Sequence, residues 1–152
     1  MTQDQQGIYA DDVRPGEVTP FGSHAVTEAE IIDFATQWDP QFFHVDPERA
    51  AEGIFGGLIA SGIHTLGIYQ RLSFDARTAP WHVIAGAGID GLRFHRPVRP
   101  GDVLTGSHTV TAVDLDPSRR RGLLTLAGEL TDDSGTTVLT LTLSVFMHMR
   151  PA

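Results

Sequence analysis

From Val138 to Met149 the chain alternates with a period of two. Leu139, Leu141, Leu143, Val145, Met147 and Met149 interleave with Val138, Thr140, Thr142, Ser144, Phe146 and His148. A period of two over that length is a long strand with one core face. Leu124, Leu126 and Leu130 alternate likewise with Thr125, Ala127, Glu129 and Thr131, and Asp132-Asp133-Ser134-Gly135 is a turn that joins the two runs as a hairpin. Val103–Leu115 forms a third long strand, entered by the turn Arg99-Pro100-Gly101-Asp102, and Ile84–Phe94 a fourth, weakened by glycines. Four such strands in an antiparallel run need something apolar to close upon.

That partner precedes them. Thr27-Glu28-Ala29-Glu30 reads as a capping box with Val26 and Ile31 as its staple. The helix it opens must stop near Asp39, because Pro40 disfavours a helical residue before it. Asp46-Pro47-Glu48-Arg49 repeats the start signal for a short helix ending at Gly53. A third helix begins at Ser61 and runs to about Phe74. Its apolar residues Ile63, Leu66, Ile68, Tyr69 and Leu72 fall on more than one face, which predicts burial nearly all round. Helices first and long strands afterwards predict an α+β fold, with an antiparallel sheet wrapped around that last helix. Residues 1–13 are polar and acidic and read as a flexible segment, and 14–152 as a single domain.

Composition narrows the chemistry. There is no cysteine, which excludes disulfides and thiol nucleophiles, and all 11 basic residues are arginine, which excludes Schiff-base lysines. A net charge of -8 argues against a nucleic-acid partner. No apolar run approaches the roughly 18 residues of a membrane span, and the N-terminus lacks the pattern of a signal peptide, so a cytoplasmic protein without membrane association is expected.

The stretch Trp38–His64 concentrates the reactive side chains. Asp39 and His44 lie five apart. On a continuous helix they would diverge by about 140°, but Pro40 takes the chain out of the helix and lets them converge as a coupled acid/base pair. Asp-Pro is equally a common turn starter, and His44 on that reading is a spectator. Ser61 as N-cap leaves the Gly62 N–H as an orphan donor at the positive helix end, where a carbonyl oxygen can be polarised. Alternatively Gly56, Gly57 and Gly62 merely permit close packing. His64, in the first turn of that helix, reads as structural. A metal site from Asp39, His44, Asp46 and His64 matches no standard ligand spacing, so no metal or other cofactor is expected. Arg119-Arg120-Arg121 could meet substrate phosphates, although a solvated turn is the default reading.

Together these motifs resemble the MaoC-like dehydratases and (R)-specific enoyl-CoA hydratases of the hot-dog fold. Asp39-Pro40-Gln41-Phe42-Phe43-His44-Val45-Asp46 is similar to the family's Asp-x-Asn-Pro-x-His-x-Asp motif. Phe55-Gly56-Gly57-Leu58-Ile59-Ala60-Ser61-Gly62 corresponds to its run into the central helix, and Phe94–Asp102 to its Pro-Val-x-x-Gly-Asp turn. The resemblance implies Asp39 and His44 as the catalytic pair, and Gly62 with Ser61 at the thioester carbonyl. It also implies an acyl-CoA or acyl-carrier thioester as substrate, and a homodimer or an assembly of dimers. The chain departs from the motif at Gln41 and Phe42, which replace Asn and Pro, and at Ser61, where the hydratases usually carry His.

The expected function is therefore that of a lyase: a hydratase/dehydratase working between 2-enoyl and 3-hydroxyacyl thioesters, as in fatty acid metabolism. A hot-dog thioesterase and a non-catalytic acyl-CoA binding module are the alternatives, because a fold alone does not fix chemistry.

Overall fold

A computed structural model of the chain describes residues 6–152. Helices α1 (Glu28–Trp38), α2 (Phe42–Val45), α3 (Pro47–Glu52) and α4 (Gly62–Asp75) are followed by strands β3 (Val83–Phe94), β4 (Val103–Asp116), β5 (Arg121–Asp132) and β6 (Thr137–His148); the short β1 (Val18–Pro20) and β2 (His24–Ala25) precede α1. All six strands form one antiparallel sheet in the order β1-β4-β5-β6-β3, with β2 also on β4. Ile68, Tyr69 and Leu72 of α4 pack into a core with Leu104, Leu130, Leu139 and Leu141, so the sheet does close on the last helix. Tyr69 reaches this close because Gly128 of β5 lies beneath it: a Cβ there would stand 2.1 Å from the Tyr69 hydroxyl.

Several expectations need correction. The four long strands do not pair in chain order: β3 pairs with β6 at the far edge, with β5 and β6 between it and β4. Residues 95–102 therefore cross the end of the sheet. Arg96 pins this crossing with bonds to Asp132 and Asp102 at 2.8 and 3.0 Å. The alternation reveals strands but not their order, which depends on contacts far apart in the chain. Helix α4 is not buried all round, for Ile63 and Phe74 on its outer side are exposed. The segment up to Val13 is not loose from Ile8 onward. Tyr9, Ala10 and Val13 are buried, the latter two in a second core with Val110, Leu124 and Met147. Residues 1–5 lie outside the described residues.

At α1 the Thr27 hydroxyl accepts from the Glu30 N–H as expected. The return half of the box is replaced: the Glu30 carboxylate accepts from His24 Nε2 at 2.8 Å. The staple residues Val26 and Ile31 are both buried. Asp46 caps α3 by accepting from the Arg49 N–H, and Gly53 ends it.

Candidate active site

Helix α1 ends where Pro40 requires. Asp39 is its C-cap, with φ -157° and ψ 69°. The chain then makes a single helical turn, α2, which the sequence does not announce, and this turn swings His44 back under Asp39. His44 is buried and its Nε2 stands 3.3 Å from Asp39 Oδ2.

The other ring nitrogen fixes the protonation. His44 Nδ1 lies 2.6 Å from the Ile59 carbonyl oxygen, which can only accept. Nδ1 therefore carries a hydrogen, and Nε2 faces the carboxylate. A neutral imidazole in that tautomer would point a lone pair at a carboxylate oxygen. A single proton placed between the two groups, on Nε2 or on the carboxyl, would turn this contact into a hydrogen bond. The pair can thus give a proton from one member while taking one on the other.

Asp39 is held from two further sides. Gln41 Nε2 donates to Oδ1 at 2.8 Å, and Ser61 Oγ donates to Oδ2 at 2.8 Å. The Gln41 bond first, then the Ser61 bond, outweigh partial desolvation, and with the charge of His44 they hold the carboxyl below the usual carboxylate range. Gln41 and Ser61 are two of the three positions where the chain departs from the hydratase motif. In sequence they look like losses; in space they are the two donors that aim the carboxylate. Phe42, the third departure, turns away to pack under the Arg49 guanidinium, 4.6 Å from its ring centroid.

Ser61 is fully buried and has a second task. Its Oγ accepts from the Ile63 N–H at 3.3 Å, capping α4. One hydroxyl thus couples the start of α4 to Asp39. The Gly62 N–H has no hydrogen-bond acceptor among the described residues. The ring of Phe94, from the end of β3, covers Gly62 so closely that a Cβ would fall 2.7 Å from it. A side chain at position 62 would have to push that ring aside.

Asp39, Gln41, His44 and Gly62 open onto one cavity of ≈ 450 Å³, with Phe55, Ile59 and Phe94 among its apolar walls. This is within the range of small-molecule sites. The stretch from Phe94 to Val98, the crossing described above, supplies the opposite wall. Its place could not be read in the sequence, because it follows from β3 lying beyond β6. The Arg99 guanidinium donates to the Phe55 carbonyl at the same rim.

The remaining candidates are elsewhere. Arg121 begins β5 opposite His148, whereas the site lies at the end where Leu130 pairs with Leu139 and Leu139 with Phe94. Nine residues of strand separate the two ends, about 30 Å. Arg119 leans on Asp116, Arg120 donates to the Arg150 carbonyl, and Arg121 stacks on Phe146. Within one chain these three arginines do not reach the site. His64 faces away, stacked on Phe34 and 3.6 Å from Glu30, so it does not join Asp39, His44 and Asp46 as a ligand set. No group of three or more metal-ligating side chains converges among the described residues. Nor is any helix among them long and apolar enough to cross a membrane.

Residues 12–125 match the profile of the MaoC like domain. The chain belongs to that family. It is 38% identical over 117 residues to the protein YdeM of Bacillus subtilis, an alignment covering 76% of this chain and 82% of that one. It is also 36% identical over 91 residues to the 3-hydroxyacyl-thioester dehydratase Z of Mycobacterium tuberculosis, covering 59% and 60% of the two chains. Among solved structures, the MaoC-like dehydratase from Rhodospirillum rubrum superposes with a TM-score of 0.83 at 35% identity, over 96% of this chain and all of that one. The hot-dog fold of this family is the α+β arrangement described above.

Proposed function

We propose that the chain is a hydratase/dehydratase acting on acyl thioesters, interconverting a 2-enoyl and a 3-hydroxyacyl thioester. The observation that carries this reading is the approach of His44 Nε2 to within 3.3 Å of Asp39 Oδ2, opposite the free Gly62 N–H in one cavity. A thioester carbonyl bonded to Gly62 N–H becomes more polarised, which draws electrons from the conjugated double bond and makes C3 electrophilic. One member of the pair removes a proton from water as its oxygen bonds to C3, and the other delivers a proton to C2. One O–H and one C=C π bond break, one C–O and one C–H bond form, and the pair ends with the proton count it began with. Dehydration is the same sequence reversed. In this scheme Ser61 and Gln41 position Asp39. The dehydratase named among the relatives supports the substrate class.

The decisive experiment incubates the protein with 2-enoyl-CoA substrates of several chain lengths, following loss of the enoyl absorbance and release of free thiol separately. Hydration without thiol release is expected. Thiol release with the enoyl group intact would select a thioesterase, and thermal stabilisation by acyl-CoA without any turnover would select a binding module.

The working unit on this reading is a homodimer formed through β3. That strand ends the sheet, and Ile84, Ile89 and Phe94 are among its exposed apolar residues. An uncovered apolar edge invites a second copy. Light scattering should give twice the chain mass, and a monomer would refute this part.

A further inference from the structure

At the opposite end of α4, about 20 Å from Gly62 by helical rise, is a cavity of ≈ 130 Å³ that shares no residue with the site above. Arg77 and Trp81 stand between it and a second cavity of ≈ 490 Å³, and His108 of β4 lines both. His108 is 4% exposed, yet neither of its ring nitrogens has a hydrogen-bond partner. Burial first, and the charge of Arg77 second, keep this imidazole below its usual range, so it is neutral. A buried ring nitrogen left without a partner keeps the desolvation penalty that a hydrogen bond would offset. A partner for the ring belongs in the cavity.

Arg77 has the complementary peculiarity. Its guanidinium lies against the rings of Phe74 and Trp81, at 5.1 and 5.3 Å, and pairs with no carboxylate among the described residues. Two acids do line the larger cavity, but they are engaged: Asp12 pairs with Arg150, and Glu17 accepts from the Arg14 N–H. A half-buried cation and a buried unbonded ring therefore flank one small space. Leu126, Leu143 and Val145 form its floor. The space equals about four water volumes, enough for a carboxylate with a short alkyl tail.

We propose that Arg77 and His108 form a second ligand site, which takes the carboxylate of a short-chain monocarboxylic acid while the floor of the cavity takes its tail. The charge favours an anion, since Arg matches a carboxylate with two parallel donors and His108 adds one more. The apolar floor disfavours a highly hydrated anion such as phosphate. This site stands on its own geometry and does not depend on the reading of the Asp39 cavity.

The test uses the whole protein and follows the His108 ring resonances by NMR, assigned through their loss in His108→Phe, during titration with n-butyrate. A saturable shift is expected, weakened roughly tenfold or more in Arg77→Gln, the loss of one charge-assisted contact. n-Butanol and inorganic phosphate should give no saturable shift. If Arg77→Gln does not fold, Arg77→Lys should still bind more weakly than wild type, because the paired donors are gone. The proposal is overturned if butyrate gives no saturable shift, if the Arg77 variant responds as wild type does, or if butanol or phosphate matches butyrate. The first of these results would assign the cavity to ordered water.

Discussion

The two ends of α4 each carry a buried histidine beside a cavity, and the two are opposites. At the N-terminal end both nitrogens of His44 are engaged, one by the Ile59 carbonyl and one by Asp39, and both oxygens of Asp39 accept donors. At the C-terminal end neither nitrogen of His108 is engaged. A satisfied network holds its groups in a fixed geometry before any ligand arrives, which is what general acid/base chemistry requires. An unsatisfied one stores free energy that only a ligand or water can release. Burial alone does not separate these cases; the partner at each nitrogen does.

The largest effect expected from this contrast is at Asp39. Asp39→Asn is nearly isosteric and cannot share the proton, so hydration should slow by about 10²–10⁴-fold while the fold is retained. Steady-state rates on one 2-enoyl thioester check it, and an unchanged rate would dissolve the distinction between the two ends.

Next come the histidines themselves. His44→Phe strips the Ile59 carbonyl of its donor and should destabilise the protein by about 1–3 kcal/mol, whereas His108→Phe removes two unbonded nitrogens and should be neutral or stabilising. Urea unfolding of both variants gives the comparison directly. Equal losses would mean that His108 has partners after all.

A smaller pair of effects separates the donors to Asp39. Ser61→Ala loses both a cap and an aiming bond, so stability should fall by about 1 kcal/mol and the rate with it. The Gln41 side chain is exposed and makes no cap bond at the start of α2, so Gln41→Ala should lower the rate and leave the unfolding midpoint in place. The two variants together tell positioning from folding.

The smallest effect is on pH dependence. Burial depresses the folded-state values of His64 and His108 below 6.5, so their neutral forms are the folded forms. Their contribution is fully present above 6.5 and is lost as pH falls below it. Asp12, Asp39 and Asp132 are depressed too, but their contribution is lost only below the usual carboxylate range of 3.8. The first decline in stability on acidification should therefore come from the histidines. Removing His108 should flatten it, as read from unfolding midpoints on either side of pH 6.5.

Much of this arrangement was legible in the residues. The Asp-Pro break, the Ser61 cap and the alternating strands rest on local chemistry, and the structure keeps each of them within a residue or two. What was not legible depends on distant parts of the chain. The placement of β3 beyond β6 brings Phe94–Val98 to the cavity, and no local pattern encodes it. The same holds for His108, a polar residue in the middle of β4 whose burial under Arg77 and Trp81 appears only once the sheet is closed. Ser61 and Gln41 were visible as departures from a motif, but their meaning was not. A motif records which residues occur, and only the geometry shows that both side chains donate to Asp39.

The account rests on Asp39 and His44 working as one proton-sharing unit. The most direct measurement is a double-mutant cycle on the hydration rate with Asp39→Asn, His44→Gln and the two combined. If the pair is a unit, the double variant is no slower than the slower single variant. If the two losses multiply, the residues act independently, and the shared proton is not the basis of the activity.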